Sequence, residues 1–246
     1  LRIDQVGIYD NFFELGGHSL SATQATSRIR QSFKIEMQVR ALFESPSVAT
    51  LSQSVEMMLR GKLGLVAPPI VPVARGAQQL PLSFAQQRLW VQDQLEPNSA
   101  LYNIPRAIRL TGPLNVDALD QALDGIVERH EILRTTYASS DDGHPFQVIA
   151  PEQKLHLTVA DLRQSPASER EEEARRISQQ EASRPFDLAK DPITRNLLVK
   201  IDDNDHILLM TTHHIASDGW STGILLRELT ALYKAALTGE PATLPE

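Results

Sequence analysis

The chain has 246 residues, 41% of them hydrophobic and 22% charged, a globular composition that excludes a disordered or fibrous protein. Its net charge of −7 lies almost wholly beyond Lys62, where seventeen Lys/Arg face twenty-five Asp/Glu, and an acidic region of this kind argues against a nucleic-acid partner. The absence of cysteine removes disulfides, thiolate metal sites and cysteine nucleophiles. With no bilayer-length apolar run and no signal-like N-terminus, a cytoplasmic protein with no membrane partner is expected.

In chain order, the stretch up to about Arg60 reads as short helices. Leu20, Ala25, Ile29 and Phe33 recur at helical spacing after the Gly16-Gly17 turn, which predicts a helix over Ser19–Phe33. Ser47 is placed to cap a further helix carrying Val48, Leu51, Val55, Met58 and Leu59. Next comes a segment rich in proline and glycine, with Pro68, Pro69 and Pro72 and no apolar period, read as a linker over 62–79 between regions 1–61 and 80–246.

Beyond it, helices and strands alternate. Ser83–Leu95 is helical and stopped by Pro97; Tyr102–Leu110 is a strand; Asn115 caps a helix bearing Leu119, Leu123, Ile126 and Val127. Strands are expected at Thr135–Ala138, Phe146–Ile149 and Leu155–Val159, then a solvated Glu/Arg helix at Ala167–Ala182. Ile193–Ile201 and His206–His213 form two strands joined by Asp202-Asp203-Asn204-Asp205, and Thr222–Leu237 closes the chain as an amphipathic helix. The alternation indicates an α/β or α+β domain and leaves its architecture open.

Two stretches carry chemistry. In Asp10-Asn11-Phe12-Phe13-Glu14-Leu15-Gly16-Gly17-His18-Ser19-Leu20, two glycines turn the backbone so that Ser19 sits at the first turn of a helix. There a serine is either a simple cap or, because a helix N-terminus favours anions, a site for a phosphodiester. The second stretch is Thr211-Thr212-His213-His214-Ile215-Ala216-Ser217-Asp218-Gly219-Trp220-Ser221, at the end of an apolar strand where a loop begins. Alternation along the strand points His213 and His214 to opposite faces, which disfavours a shared metal ion, and no metal is expected.

The string DNFFELGGHSL resembles the 4′-phosphopantetheine attachment motif of carrier domains in nonribosomal peptide synthetases, and FESPSVATLS resembles that family's closing helix. HHIASDG matches the HHxxxDG motif of the condensation domains of the same synthetases; SFAQQRLW and RHEILRTTY match two further motifs of that family, in the correct order. Tyr137 stands where Phe is commoner and Thr212 where Met is common.

The resemblance implies a multidomain chain: a small all-α carrier bundle over 1–61 without its first helix, then the N-terminal lobe of an α/β, chloramphenicol-acetyltransferase-like condensation domain over 80–246. It implies phosphopantetheine on Ser19, flanked by Gly17, His18 and Leu20. The GGHS form at His18 implies an upstream residue delivered as the L isomer. His214 is implied as the key residue for amide formation, as general base or as positioning group, the two being equally open. His213 is implied as support and Gly219 as a backbone donor to the oxyanion. Asp218 is expected to hold the loop through an ion pair rather than relay a proton, with Arg134 as partner and Arg129 in reserve; His130 is expected to be structural.

The implied partners are a phosphopantetheinyl transferase, an upstream adenylation domain, a downstream acceptor carrier domain and a second condensation lobe. Since the sequence starts at Leu1 and stops just after a helix, it reads as a piece of a longer chain, inactive in condensation when isolated. A coenzyme-A-dependent acyltransferase and a catalytically inert carrier or docking fragment are the alternatives.

Overall fold

The computed structural model describes residues 3, 5–60, 71 and 79–245, and the chain divides into two compact units, Leu1–Arg75 and Gly76–Glu246. Apart from Val71 and Gln79, the linker expected over 62–79 lies outside the described residues.

In the first unit, α1 runs over Ser19–Phe33, α2 over Arg40–Glu44 and α3 over Val48–Arg60. The first ends where Lys34 turns left-handed (φ 52°) and its N–H bonds Arg30 O. Ser47 Oγ accepts from Thr50 N–H at 3.3 Å, the expected cap of α3. Ala22 and Thr26 from α1, with Met37, Leu42 and Val55, form the buried centre. The five-residue α2 is not foreseen as a separate element.

The second unit holds β1 (Leu80–Pro81), α4 (Phe84–Leu95), β2 (Asn103–Thr111), α5 (Val116–Arg129), a 3-10 turn (Glu131–Arg134), β3 (Thr135–Ser139) and β4 (Pro145–Ile149). It continues through β5 (Thr158–Asp161), α6 (Arg170–Ser183), β6 (Thr194–Asp202), β7 (Asp205–His213) and α7 (Gly219–Thr238). A small sheet has the order β1-β4-β3 and a larger one the order β2-β7-β6-β5, antiparallel except where β5 runs parallel to β6. α5 and α7 cover one face of the larger sheet, burying Leu123, Ile126, Leu198, Leu208 and Leu229, while Ala174 of α6 joins Val199 and Leu209 on the other. A third cluster, with Leu82, Leu89, Tyr137, Phe186 and Ile215, ties α4 and β3 to the loop after β7.

β5 starts at Thr158, three residues later than expected. The N–H groups of Leu155 and Leu157 instead donate to Asp124 Oδ1 (2.9 Å) and Asp120 Oδ1 (2.8 Å) on α5, so this stretch is satisfied by a helix. α7 starts at Gly219 rather than Thr222, because Asp218 supplies a capping box with Ser221. The turn between β6 and β7 tightens to Asp203-Asn204, residues suited to a short hairpin.

Candidate functional site

Ser19 is the first residue of α1, but the cap is His18: its Nδ1 accepts from Ser21 N–H at 3.4 Å while Ser21 Oγ accepts from His18 N–H at 2.8 Å. The Ser19 hydroxyl is thereby left exposed and without a hydrogen bond among the described residues. The preceding loop requires both glycines. Gly16 has φ +89°, and a Cβ on Gly17 would meet Phe12 O at 2.3 Å. Phe12 and Phe13 pack edge-on, and Phe13 stacks on Phe43 of α2 with ring centroids 4.6 Å apart, so the aromatic pair docks the loop.

At the end of β7, the two histidines part company. His213 is 3% exposed, set between the rings of Tyr102 and Phe186, and its Nδ1 accepts from Ile215 N–H at 3.1 Å. Burial, with the neighbouring His214 as a lesser cause, pushes its pKa from 6.5 down to about 4. His214 is exposed; its N–H donates to Tyr102 O at 2.8 Å, and its Nδ1 lies 2.7 Å from Ser217 O. A carbonyl only accepts, so Nδ1 carries the hydrogen and Nε2 of the neutral ring keeps its lone pair. His214 lines a cleft of about 640 Å³ with Arg88, Tyr102, Ser217, Asp218 and Ser221.

The buried neutral state of His213 ties stability to pH. The unfolded imidazole takes up its proton near 6.5 and the folded one near 4. Between these values the unfolded chain binds more protons, so stability falls as pH falls. A contribution of about 3 kcal/mol should be intact above 6.5 and lost towards 4. Melting temperatures across that interval should show a component that vanishes in His213→Gln; equal decline in both proteins would contradict this.

The expected Asp218–Arg134 ion pair is not formed. Arg134 Nη1 donates to Ala150 O at 2.6 Å, and its nearest carboxylate is Glu131 at 3.8 Å, because the 3-10 turn directs it along its own strand connection. The reserve, Arg129, bonds Glu228 of α7 (3.2 Å), which also lies 2.7 Å from His130 Nε2. Asp218 is exposed rather than buried, and its Oδ1 accepts from Ser221 N–H (2.8 Å) and Ser221 Oγ–H (2.7 Å). Partial burial raises its pKa, but these bonds, the Trp220 N–H and the nearby His214 outweigh it and hold the carboxyl below its ordinary value. Gly219 opens α7 without a positive φ, so no glycine-specific turn follows Asp218.

Loss of the cap rather than of a buried pair then sets the cost of mutation. Asp218→Ala should destabilise the second unit by about 1 kcal/mol, and Asp218→Asn by much less, since Asn keeps a capping oxygen. Urea midpoints check this, and equal losses would contradict it.

Sequence reading passed over three contributors: the Tyr102 carbonyl, the Ser217 carbonyl and the Arg88 side chain in the cleft. The carbonyls belong to any residue type and leave no sequence signal. Among the described residues no group of His, Cys, Asp or Glu is arranged for a metal ion, and no helix is long and apolar enough to cross a membrane.

Comparison with known proteins places a condensation domain model on residues 76–246 and a phosphopantetheine attachment site model on 1–55. A component of the linear gramicidin synthase of Brevibacillus parabrevis is 48% identical over all of this chain, which spans 5% of that protein. Cyclosporin synthetase of Tolypocladium inflatum is 42% identical over 96% of the chain, which spans 2% of it. The first condensation domain of the CDA synthetase shares the fold (TM-score 0.63, 22% identity), matching 70% of this chain and 44% of that structure. The X-domain–OxyB complex from teicoplanin biosynthesis gives a TM-score of 0.62 at 28% identity, over 74% of this chain and 38% of the solved one.

Proposed function

The chain belongs to the condensation-domain family, with a phosphopantetheine attachment region before it, and on that premise we propose that it works within a nonribosomal peptide synthetase as a carrier and as the histidine-bearing lobe of its condensation site. The observation that carries the reading is the 2.7 Å contact of His214 Nδ1 with Ser217 O on a ring that lines the cleft, which leaves Nε2 of the neutral imidazole as the acceptor.

The attachment family bears covalent 4′-phosphopantetheine, which supplies a thiol to hold acyl groups as thioesters. Ser19 is proposed as the attachment residue: its hydroxyl is exposed and uncommitted, and α1 offers open N–H groups to a phosphodiester. Gly16 and Gly17 keep the approach clear, and His18 and Leu20 flank it.

The proposed reaction is attack of an acceptor aminoacyl amine on a donor thioester carbonyl, releasing the thiol. A free α-amine has a pKa near 7.7–8.0, so deprotonating it at pH 7 costs only about 1 kcal/mol. Help is needed later, as the C–N bond forms and the nitrogen must lose a proton. Nε2 of His214 accepts that proton while Ser217 O, bonded to Nδ1–H, stabilises the resulting imidazolium. His213 fixes the loop from beneath, Asp218 caps α7, and the Gly219 N–H is proposed as a donor to the oxyanion. The partners proposed are a phosphopantetheinyl transferase, an upstream adenylation domain, a downstream acceptor carrier domain and a second condensation lobe.

A synthetase containing this chain should form the amide when the donor is held on Ser19, and not when the same acyl group is offered as soluble acyl-coenzyme A to a protein with Ser19 blocked. Equal product from both would favour the coenzyme-A-dependent alternative.

A further inference from the structure

Arg106 lies mid-strand in β2, opposite Met210 of β7, and its side chain is part-buried beneath the start of α7. It lines a small internal cavity with Thr212, Ser217 and Thr222, immediately behind the loop that carries His214. Among the described residues it has no carboxylate partner, and its hydrogen bond goes to a hydroxyl, Thr222 Oγ1. A partly buried cation without a counter-charge costs free energy that an apolar residue would not, so its presence there calls for a reason.

The bonds beyond it supply one. Thr222 Oγ1 receives from Arg106 and donates in turn to Asp218 O at 2.9 Å. The neighbouring carbonyl, Ser217 O, accepts His214 Nδ1–H at 2.7 Å. β2 is therefore joined to the histidine loop at two points, because Tyr102 O, one residue before the strand, also accepts His214 N–H. A guanidinium donor gives a stronger and more directional bond than a neutral one, so it fixes the Thr222–Asp218 link at the start of α7. The adjoining peptide, which presents Ser217 O, is held through its own N–H, that of Asp218, by Ser221 Oγ at 2.8 Å, so the two peptides are oriented together about Asp218.

We propose that Arg106 is a positioning residue that, through Thr222 and the Asp218 carbonyl, holds Ser217 O where it keeps His214 in the Nδ1–H tautomer. Its kinetic consequence rests on the condensation reading above; its structural consequence does not. Neither Arg129 nor Arg134 takes this place, since each is engaged elsewhere.

The test has two arms. In the 246-residue chain, at 27.3 kDa within reach of NMR, ¹⁵N-histidine spectra of the wild type should show His214 protonated at Nδ1. Arg106→Met and Thr222→Val should each populate the Nε2–H form. An unchanged tautomer in folded Arg106→Met overturns the inference. If Arg106→Met does not fold, Thr222→Val, which removes the same link, carries the test and is read the same way. In the intact synthetase, Arg106→Met should lower kcat about tenfold with KM for the acceptor unchanged. Combining it with Thr222→Val should add little, because both act through one link. Losses that multiply, or fall on KM, overturn the link. Altered tautomer with unaltered rate would leave the positioning intact and count against the condensation reading.

Discussion

In a synthetase that contains this chain, His214→Ala should slow amide formation by about 10²–10⁴-fold, the range supplied by one positioned acid–base group. Stability should hardly move, since His214 is exposed and loses one hydrogen bond to Ser217 O. His213→Ala should behave oppositely. That ring is buried against Tyr102 and Phe186, and its Nδ1 closes the turn to Ile215, so truncation opens a cavity and strands an N–H. Its activity loss should follow the fraction unfolded and recover on cooling. Single-turnover rates read beside circular-dichroism melts separate the two, and equal rate losses in two fully folded variants would mean the wrong histidine has been assigned.

The other large effect is complete. Incubation with coenzyme A and a broad-specificity phosphopantetheinyl transferase should raise the intact mass by one phosphopantetheinyl group, and Ser19→Ala should abolish the gain. Ser21 and Thr23 lie nearby but are committed, Ser21 Oγ to His18 O and Thr23 Oγ1 to Ser19 O, whereas the Ser19 hydroxyl is free among the described residues. Loading that persists in folded Ser19→Ala would remove the carrier assignment.

What could be read in advance was whatever depends on near neighbours in sequence. The Ser19 turn, the caps Ser47 and Asn115 and the β6–β7 hairpin each rest on a few consecutive residues, and all appear in the structure. The strand order β2-β7-β6-β5 was not legible, because β5 joins β6 in parallel across α6 and pairing at that separation is decided by the whole core. Arg134 shows the same limit from the side of the site. A motif arginine and a motif aspartate invite pairing, yet Arg134 is spent on Ala150 O and Asp218 on capping α7. Arg106 gave no signal: alternation in Asn103–Thr111 places it inward, but only the approach of α7 gives it Thr222 to hold.

The central claim is that an acyl group carried on Ser19 becomes the acyl half of an amide formed at His214. The most direct measurement loads the Ser19 arm with a radiolabelled aminoacyl group in the intact synthetase, adds the acceptor aminoacyl carrier, and follows the label through one turnover. The account predicts that label leaves Ser19 and appears in the amide on the acceptor, and that in His214→Ala it stays on Ser19 over the same time. Label reaching the acceptor equally fast in His214→Ala would contradict it.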